Sequence, residues 1–426
     1  MKHMSRRLDH RELPPTAGLP LTLKDLLPSP SVRLADALRD FIGSVHSWTT
    51  CSGTAALVVA LSALAKRSPR REVIVPAWTC PLVAIAVAHC GLRLRLCDLR
   101  RDHFDMDPNA LARLCGPTTL AIIPTHLAGR VADVATAAAC ASACGAYVIE
   151  DAAQALGARH VDGTPAGAMG DIGIFSFAAG KGLSVYEGGL LTTRRQDLCA
   201  QLQQSLATNL PGSTIWEWRR CIEMIGYAAL YNPNGLRLVY GRPLRRALHA
   251  GDATSAVGDR FSFTPPLHRI SHWRAGVAAS AAARLPAFLD ALHAQALPRL
   301  QALREIHGIT VFGDIAGTRG TWPFFLLLLP SQSMRDAVLE RLWTRGVGVT
   351  RLFIHALCDY AYLRPLIDPV NVPNARDFAA RSLTISNTLW MDEATFTFIV
   401  DTLKAVLVHH PLSRVAAAAA RASSID

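Results

Sequence analysis

Between Val32 and Arg195 the chain switches repeatedly between short apolar runs and Ala/Leu-rich stretches with helical spacing. The runs fall at 73–76, 93–97, 120–124, 146–150, 172–177 and 189–192. A run that stays apolar on consecutive positions, instead of alternating, is what a strand covered on both faces requires. The alternation predicts an α/β domain with a mostly parallel central sheet flanked by helices. Past residue 195 the pattern changes. Residues 196–265 carry Trp216, Trp218, Arg219, Arg220 and the basic stretch Arg242–Arg246. They read as an amphipathic insertion in a large domain spanning 29–265. Such a segment packs on the protein's own core, covers a pocket, joins a dimer interface or rests on a membrane surface. Trp273–Arg304, within a connecting segment 266–304, suits a long helix with breaks or kinks at Pro286 and Pro298. A smaller α+β domain follows over 305–414, with strands at Phe324–Leu329, Val347–Leu352 and Leu383–Ile385 and helices at Met334–Thr344 and Glu393–Val408. Residues 1–28 read as a Pro-containing arm, partly disordered or draped on a partner, and 415–426 as a frayed Ala-rich tail.

The candidate chemistry sits on two of these runs. Ala146–Asp151 is apolar until its last two residues, so a buried parallel strand delivers the Asp151 carboxylate at its C-terminal end, the edge where open α/β sheets bind ligands. Gln154 follows three residues later. The run Ile172–Phe177 carries Ser176 and breaks at Ala178-Ala179-Gly180 before presenting Lys181, so the lysine lies in a glycine-flanked turn that a flat ligand can approach closely. Burial lowers a lysine pKa towards the neutral amine that attacks a carbonyl. An aspartate facing a pyridine nitrogen and a lysine facing an aldehyde are what pyridoxal phosphate needs. A phosphate cradle is available where Ser52-Gly53-Thr54 opens an apolar helix with Leu57/Leu61/Leu64 spacing, since free N–H groups at a helix start bind anions. Taken singly each feature has a plainer reading: a loop aspartate, an N-cap, a solvated lysine. Their joint order is what carries the reading.

The stretches Val148–Ala158, Gly170–Phe177, Gly180-Lys181 and Glu187-Gly188-Gly189 closely resemble the signature of the DegT/DnrJ/EryC1/StrS sugar aminotransferases. The likeness continues through Ser52–Ala56, Val73–Thr79, Pro124–Gly129 and Asp133, most of residues 50–193. It implies a fold-type-I pyridoxal phosphate enzyme, aspartate aminotransferase-like. Such an enzyme moves an amino group, with glutamate as donor, to a nucleotide-linked keto sugar in polysaccharide or secondary-metabolite biosynthesis. It further implies a homodimer with active sites between the subunits. By the same resemblance Lys181 is the covalent attachment point and proton carrier, Asp151 pairs with the ring nitrogen, and Gln154 lies by the ring's phenolic oxygen or face. Ser52, Gly53, Thr54 and Ser176 hold the phosphate. Where the family stacks an aromatic on the ring this chain has Cys80, and Trp78, two residues earlier, faces the same side if the segment is extended. The family's asparagine that reaches a neighbouring subunit's phosphate falls on Leu267, and Arg269 is the candidate replacement. His126, ending the Leu120–Pro124 run, is a candidate substrate contact or general base against a structural histidine. Three rivals stand beside this reading. A dehydratase branch has histidine in place of the lysine, which Lys181 argues against. A pyridoxal enzyme acting on plain amino acids is the second, and a catalytically degenerate scaffold or regulator the third.

Composition adds little to this picture. The chain has 426 residues, half of them hydrophobic, enough for a large core and about two domains. Its ten cysteines include no CxxC pair, and no Cys/His group has zinc spacing, so no metal is expected. With a charged Met1–Glu12 lacking an apolar stretch behind it, and no eighteen-residue apolar run, a cytoplasmic protein without a transmembrane segment is expected. The net charge of +11 favours anionic partners. No nucleic-acid motif accompanies it, so a nucleotide sugar is the expected partner and nucleic acid is not.

Overall fold

The computed structural model describes residues 11–29, 31–43 and 46–409. The predicted tail at 415–426 and the first ten residues lie outside them. Seven strands form the central sheet: β1 (His46–Thr50), β2 (Glu72–Pro76), β3 (Arg93–Cys97), β4 (Thr119–Ile122), β5 (Tyr147–Asp151), β6 (Ile172–Ser176) and β7 (Gly189–Thr193). Their order is β1-β7-β6-β5-β4-β2-β3. The block β3-β2-β4-β5-β6 is parallel throughout, while β7 runs antiparallel to both β6 and β1. All six predicted runs are strands. The missed one, β1, lies at the sheet's end, and of its five residues only Thr50 is buried; without an apolar run it left no signal. Its register sets Thr50 opposite Gly189, and Gly189 opposite Ser176. The ends of β1 and β6 and the start of β7 therefore share one sheet edge, and β5 ends there too. The helix Gly53–Arg67 leaves that edge with ten buried residues between Gly53 and Leu64, as its composition predicted.

Trp273–Arg304 is two helices, not one. His272–Ala282 and Leu285–Arg304 meet at 51°. Pro286 sits in the first turn of the second, where a missing N–H costs nothing, and Pro298 lies inside that helix without ending it. The smaller domain is a four-stranded antiparallel sheet of order β10-β11-β9-β8, made of β8 (Thr310–Val311), β9 (Phe324–Leu328), β10 (Val349–Thr350) and β11 (Ser382–Ser386). Its two predicted helices are Gln332–Leu342 and Glu393–His409.

Residues 11–28 lie along the chain itself. Leu13, Ala17 and Leu19 donate backbone hydrogen bonds to Gly346, Pro323 and Gly182 and are buried. This part of the arm is therefore an ordered strap, because its apolar residues find their partners within one subunit. In the insertion, the helix Thr214–Leu230 is clamped by Glu217. The carboxylate accepts from Arg274 Nε and Nη2, both at 2.8 Å, and from the Ser271 N–H at 2.7 Å, and it faces His268 Nε2 at 3.1 Å. Burial works against charge on His268, but hydrogen bonds to Cys51 and Glu217 outweigh it and push its pKa to about 9. The inner side of the insertion thus packs on the protein's own core.

Candidate active site

Asp151 ends β5 with its backbone held by Pro124 and His126 and its Oδ1 accepting the Ala153 N–H at 3.1 Å. The neighbouring Glu150 faces the other way and pins the strand end. Its carboxylate accepts from the N–H groups of Gly167 at 2.9 Å, Met169 at 2.6 Å and Gly170 at 2.5 Å, and from His126 Nε2 at 2.9 Å. Burial alone would raise the Glu150 pKa, but the hydrogen bond from His126, the nearby His160 and the Gly170 N–H hold it well below the usual carboxylate range.

Lys181 is carried by the turn after β6, where Gly180 has φ +78° and the Lys181 N–H returns to Ala178 O at 3.1 Å. A side chain at Gly180 would meet Thr16 Oγ1 at 2.7 Å, so both the φ and the strap require glycine there. Burial lowers the Lys181 pKa, opposed by the nearby Cys80 and Asp151. Asp151 is raised by burial, opposed by the Ala153 N–H and then by Lys181. Lysine and aspartate are thus within electrostatic reach, and burial pushes each towards its neutral form. Gln154, Ser176 and Lys181 line one small cavity with Thr321 and Pro323. Gln154 Oε1 accepts the Ala128 N–H at 3.0 Å, which leaves its amide NH2 to donate.

The cradle closes the edge. Ser52 caps the helix Gly53–Arg67 by accepting the Ala55 N–H at 3.0 Å, as the plain N-cap reading required. Among the described residues the N–H groups of Gly53 and Thr54 donate to no protein acceptor. A Cβ on Gly53 would lie 3.0 Å from Ser176 Cβ, so the helix start and the Ser176 hydroxyl sit side by side. Two free N–H groups at the positive end of a fifteen-residue helix, with hydroxyls beside them, fit a phosphate. A carboxylate and a partly desolvated amine on the same edge fit the remainder of pyridoxal phosphate.

The structure withdraws three predicted residues from the site: Trp78 and Arg269 lie away from it, and His126 sits beside Asp151 with its ring nitrogens engaged elsewhere. Trp78 is fully buried, with its ring 4.7 Å from Phe378 and 5.2 Å from Phe353 and its Nε1 donating to Phe353 O at 3.3 Å. The chain bends at 77–79 immediately after β2, so the two-residue alternation of an extended segment does not hold and Trp78 turns into the core. Cys80, on the same segment, does stay by Lys181 and Asp151, and burial pushes its thiol up to about 12. His126 is fully buried. Its Nδ1 accepts the Ala132 N–H at 2.9 Å, which places the ring proton on Nε2 facing Glu150, and no nitrogen remains for a substrate. His126, Glu150 and His160 have metal-like spacing, with candidate atoms within 4.8 Å of one another. With that proton on Nε2, and the Glu150 oxygens engaged by backbone, His126 and Glu150 are spent on structure. Arg269 is exposed and lines a separate groove with Trp48, Gln203 and Trp273, a groove sharing no residue with the Lys181 cavity. Leu267, at the position of the family's asparagine, packs on the core.

One neighbour left no trace in the sequence. Asp259, near the end of the insertion, is buried and accepts from Tyr360 Oη and from the Ile354 N–H at 3.0 Å. Burial raises its pKa to about 6, against those hydrogen bonds, and its charge reaches Cys80. Its partners lie about a hundred residues downstream, beyond the reach of any local pattern.

Residues 29–226, a little under half of the chain, match the model of the DegT/DnrJ/EryC1/StrS aminotransferase family. GDP-perosamine synthase of Caulobacter vibrioides is 37% identical over 172 residues, covering 40% of this chain and 46% of that protein. UDP-N-acetyl-3-dehydro-alpha-D-glucosamine 3-aminotransferase of Acidithiobacillus ferrooxidans is 39% identical over 162 residues, 38% of this chain and 43% of that protein. The chain thus matches less than half the length of these curated relatives. Solved structures align over nearly everything. DesI, crystallised with its TDP-sugar product, superposes with a TM-score of 0.71 at 22% identity, covering 96% of this chain and 95% of its own. Spr1654 of Streptococcus pneumoniae, in its PLP form, superposes with a TM-score of 0.71 at 19% identity, covering 93% and 98%. The architecture is that of the fold-type-I pyridoxal phosphate aminotransferases.

Proposed function

We propose that the chain is a pyridoxal-phosphate aminotransferase that moves an amino group from glutamate to a nucleotide-linked keto sugar. One observation carries the reading: Lys181 and Asp151 lie within electrostatic reach of each other on the sheet edge where a helix start offers unpaired N–H groups. When bound, pyridoxal phosphate supplies an aldehyde carbon that captures an amine and a ring that spreads negative charge. The rest falls to the chain. Gly53 and Thr54 N–H groups and the Ser52, Thr54 and Ser176 hydroxyls hold the phosphate. Asp151, fixed by Ala153 and by the strand end that Glu150 buttresses, keeps a proton on the ring nitrogen. Gln154 donates its amide to the ring's phenolic oxygen. Lys181 Nζ, with its pKa lowered by burial, would take a proton from the donor's α-carbon as general base and, in the reverse half, give one to the acceptor carbon that receives the amine as general acid. Cys80 occupies the position from which the family stacks an aromatic, so it contributes contact without a ring. The relatives' names support the acceptor class, since they specify GDP- and UDP-linked sugars.

The test is a panel of keto sugar nucleotides incubated with glutamate and read by mass. Wild type is expected to add an amine to at least one, and Lys181→Ala to none, with the visible absorption of lysine-bound cofactor gone. A wild type that holds the cofactor yet aminates no member of the panel would reject the proposal.

A further inference from the structure

Lys181 stands between Gly180 and Gly182, and glycine has more backbone freedom to lose than any other residue. The turn itself supplies one restraint, the Lys181 N–H donating to Ala178 O at 3.1 Å. Further restraints on the turn come from far along the chain. Thr16 Oγ1 donates to Gly180 O, the carbonyl of the same peptide unit that bears the Lys181 N–H. The Leu19 N–H donates to Gly182 O at 3.1 Å. Between them Gly18 lies so close that a Cβ there would meet Lys181 O at 2.9 Å, and Ala17 lines the same cavity as Lys181 and Gln154. Residues 16–19 therefore run directly along the lysine turn.

That strap is itself held from two sides. On the insertion, the buried Tyr231 hydroxyl accepts the Gly18 N–H at 3.0 Å and donates to Thr16 O at 3.2 Å, so one group fixes both neighbours of Ala17. Its ring is packed 4.6 Å from that of Tyr227 and 5.3 Å from that of Trp390. On the smaller domain, Pro323 O accepts the Ala17 N–H at 2.9 Å and Gly346 O accepts the Leu13 N–H at 2.8 Å. Burial of Leu13, Ala17 and Leu19 holds the strap down without specifying its position along the turn, since apolar contact is non-directional. The hydroxyls of Thr16 and Tyr231 specify it. The strap thus carries the positions of the insertion and of the smaller domain to the peptide unit from which Lys181 departs.

We propose that Thr16 and Tyr231 are positioning residues that aim the Lys181 amine, an inference that rests on Lys181 being the amine that takes the cofactor. Without them the turn samples several conformations and water reaches the amine. The titratable groups facing Lys181 are Cys80 and Asp151, with His126 beside Asp151, and none of them changes in the variants below. These are Thr16→Val, Thr16→Ser and Tyr231→Phe, with Thr22→Val as control, since that strap hydroxyl serves Asp25. Two readouts are taken on the full chain. One is labelling of Lys181 in the cofactor-free protein by a small amine-reactive ester across pH, with exposed Lys66 as internal reference. The other is the rate at which added pyridoxal phosphate develops the visible absorption of its lysine-bound form, with borohydride trapping and peptide mapping to Lys181. Thr16→Val and Tyr231→Phe are expected to slow that rate about two- to tenfold, the worth of a neutral hydrogen bond. They are also expected to move the pH midpoint of Lys181 labelling upwards, towards that of Lys66, as burial is lost. Thr16→Ser keeps the hydroxyl and is expected to match wild type in both readouts, as is Thr22→Val, whatever either does to the melting temperature. If Thr16→Val and Tyr231→Phe both match wild type in either readout, the proposal fails and the aminotransferase reading stands. It fails equally if Thr22→Val changes the readouts as much, because the strap then acts through stability alone. Wild type that traps no cofactor on Lys181 would overturn both.

Discussion

Replacing Gly189 with alanine tests whether the sheet edge and the helix start form one fitted unit. A Cβ at this position would lie 2.5 Å from Ser52 C and O and 2.7 Å from Gly53 N, all backbone atoms that cannot rotate away. Ordinary contact begins at 3.4 Å, so strand and helix start must separate by 3.4 − 2.5, about 0.9 Å. Overpacking of this kind costs about 1–3 kcal/mol. If the strain falls on the cradle, it corresponds to about 5- to 150-fold weaker phosphate retention at 1.36 kcal/mol per decade. Displacements near 1 Å can also cost about 100-fold in rate. The assay is cofactor dissociation, followed by the visible absorption, together with thermal melting. Gly116→Ala is the control, because a Cβ there meets nothing within 4 Å. Gly189→Ala that keeps its cofactor within about twofold of wild type and melts with it would refute the shared-unit reasoning.

Other expectations follow from particular contacts. Trp78→Ala removes a fully buried indole packed on Phe353 and Phe378, so urea unfolding should show a loss of about 3–5 kcal/mol. Cofactor affinity of the folded protein should change less than in Cys80→Ser, and the reverse ranking would return Trp78 to the cleft. His268, with a folded pKa of about 9 against about 6.5 unfolded, stabilises the fold fully below the lower value and loses that contribution as pH rises through the higher one. Melting temperature should therefore fall between pH 7 and 10, and Glu217→Gln should flatten that fall; an unchanged slope would remove Glu217 from the cause. Burial lowers the Lys181 pKa, so a small amine-reactive ester near pH 7.5 should label it in the cofactor-free protein ahead of exposed Lys24 and Lys66, by peptide mapping. Labelling in the opposite order would mean that Lys181 is not activated.

The inner parallel strands were legible because each is apolar on consecutive residues, as burial on both faces requires, while β3 at the sheet's end alternates between arginine and leucine. Asp151, Ser176 and Lys181 were legible for a related reason, since polar residues at the ends of such runs arrive together at one edge whatever the loops do. His126 misled the reading because a strand-end histidine looks the same whether its nitrogens face a ligand or, as here, Glu150 and the Ala132 N–H. Trp78 misled it because an extended segment was assumed where the backbone bends.

What the sequence by itself determined is local: which segments are buried, where the helix beginning at Gly53 starts, and which residues stand at strand ends, all consequences of periodicity over a few residues. The tertiary structure decided what joins positions far apart. It placed β1 beside β7, laid residues 11–28 across Gly182 and Pro323, and locked Glu217 to Arg274 and His268. It also brought Asp259 to Tyr360 and within charge range of Cys80. Such contacts depend on packing between surfaces separated by tens to hundreds of residues, and no window of local pattern contains both sides of them.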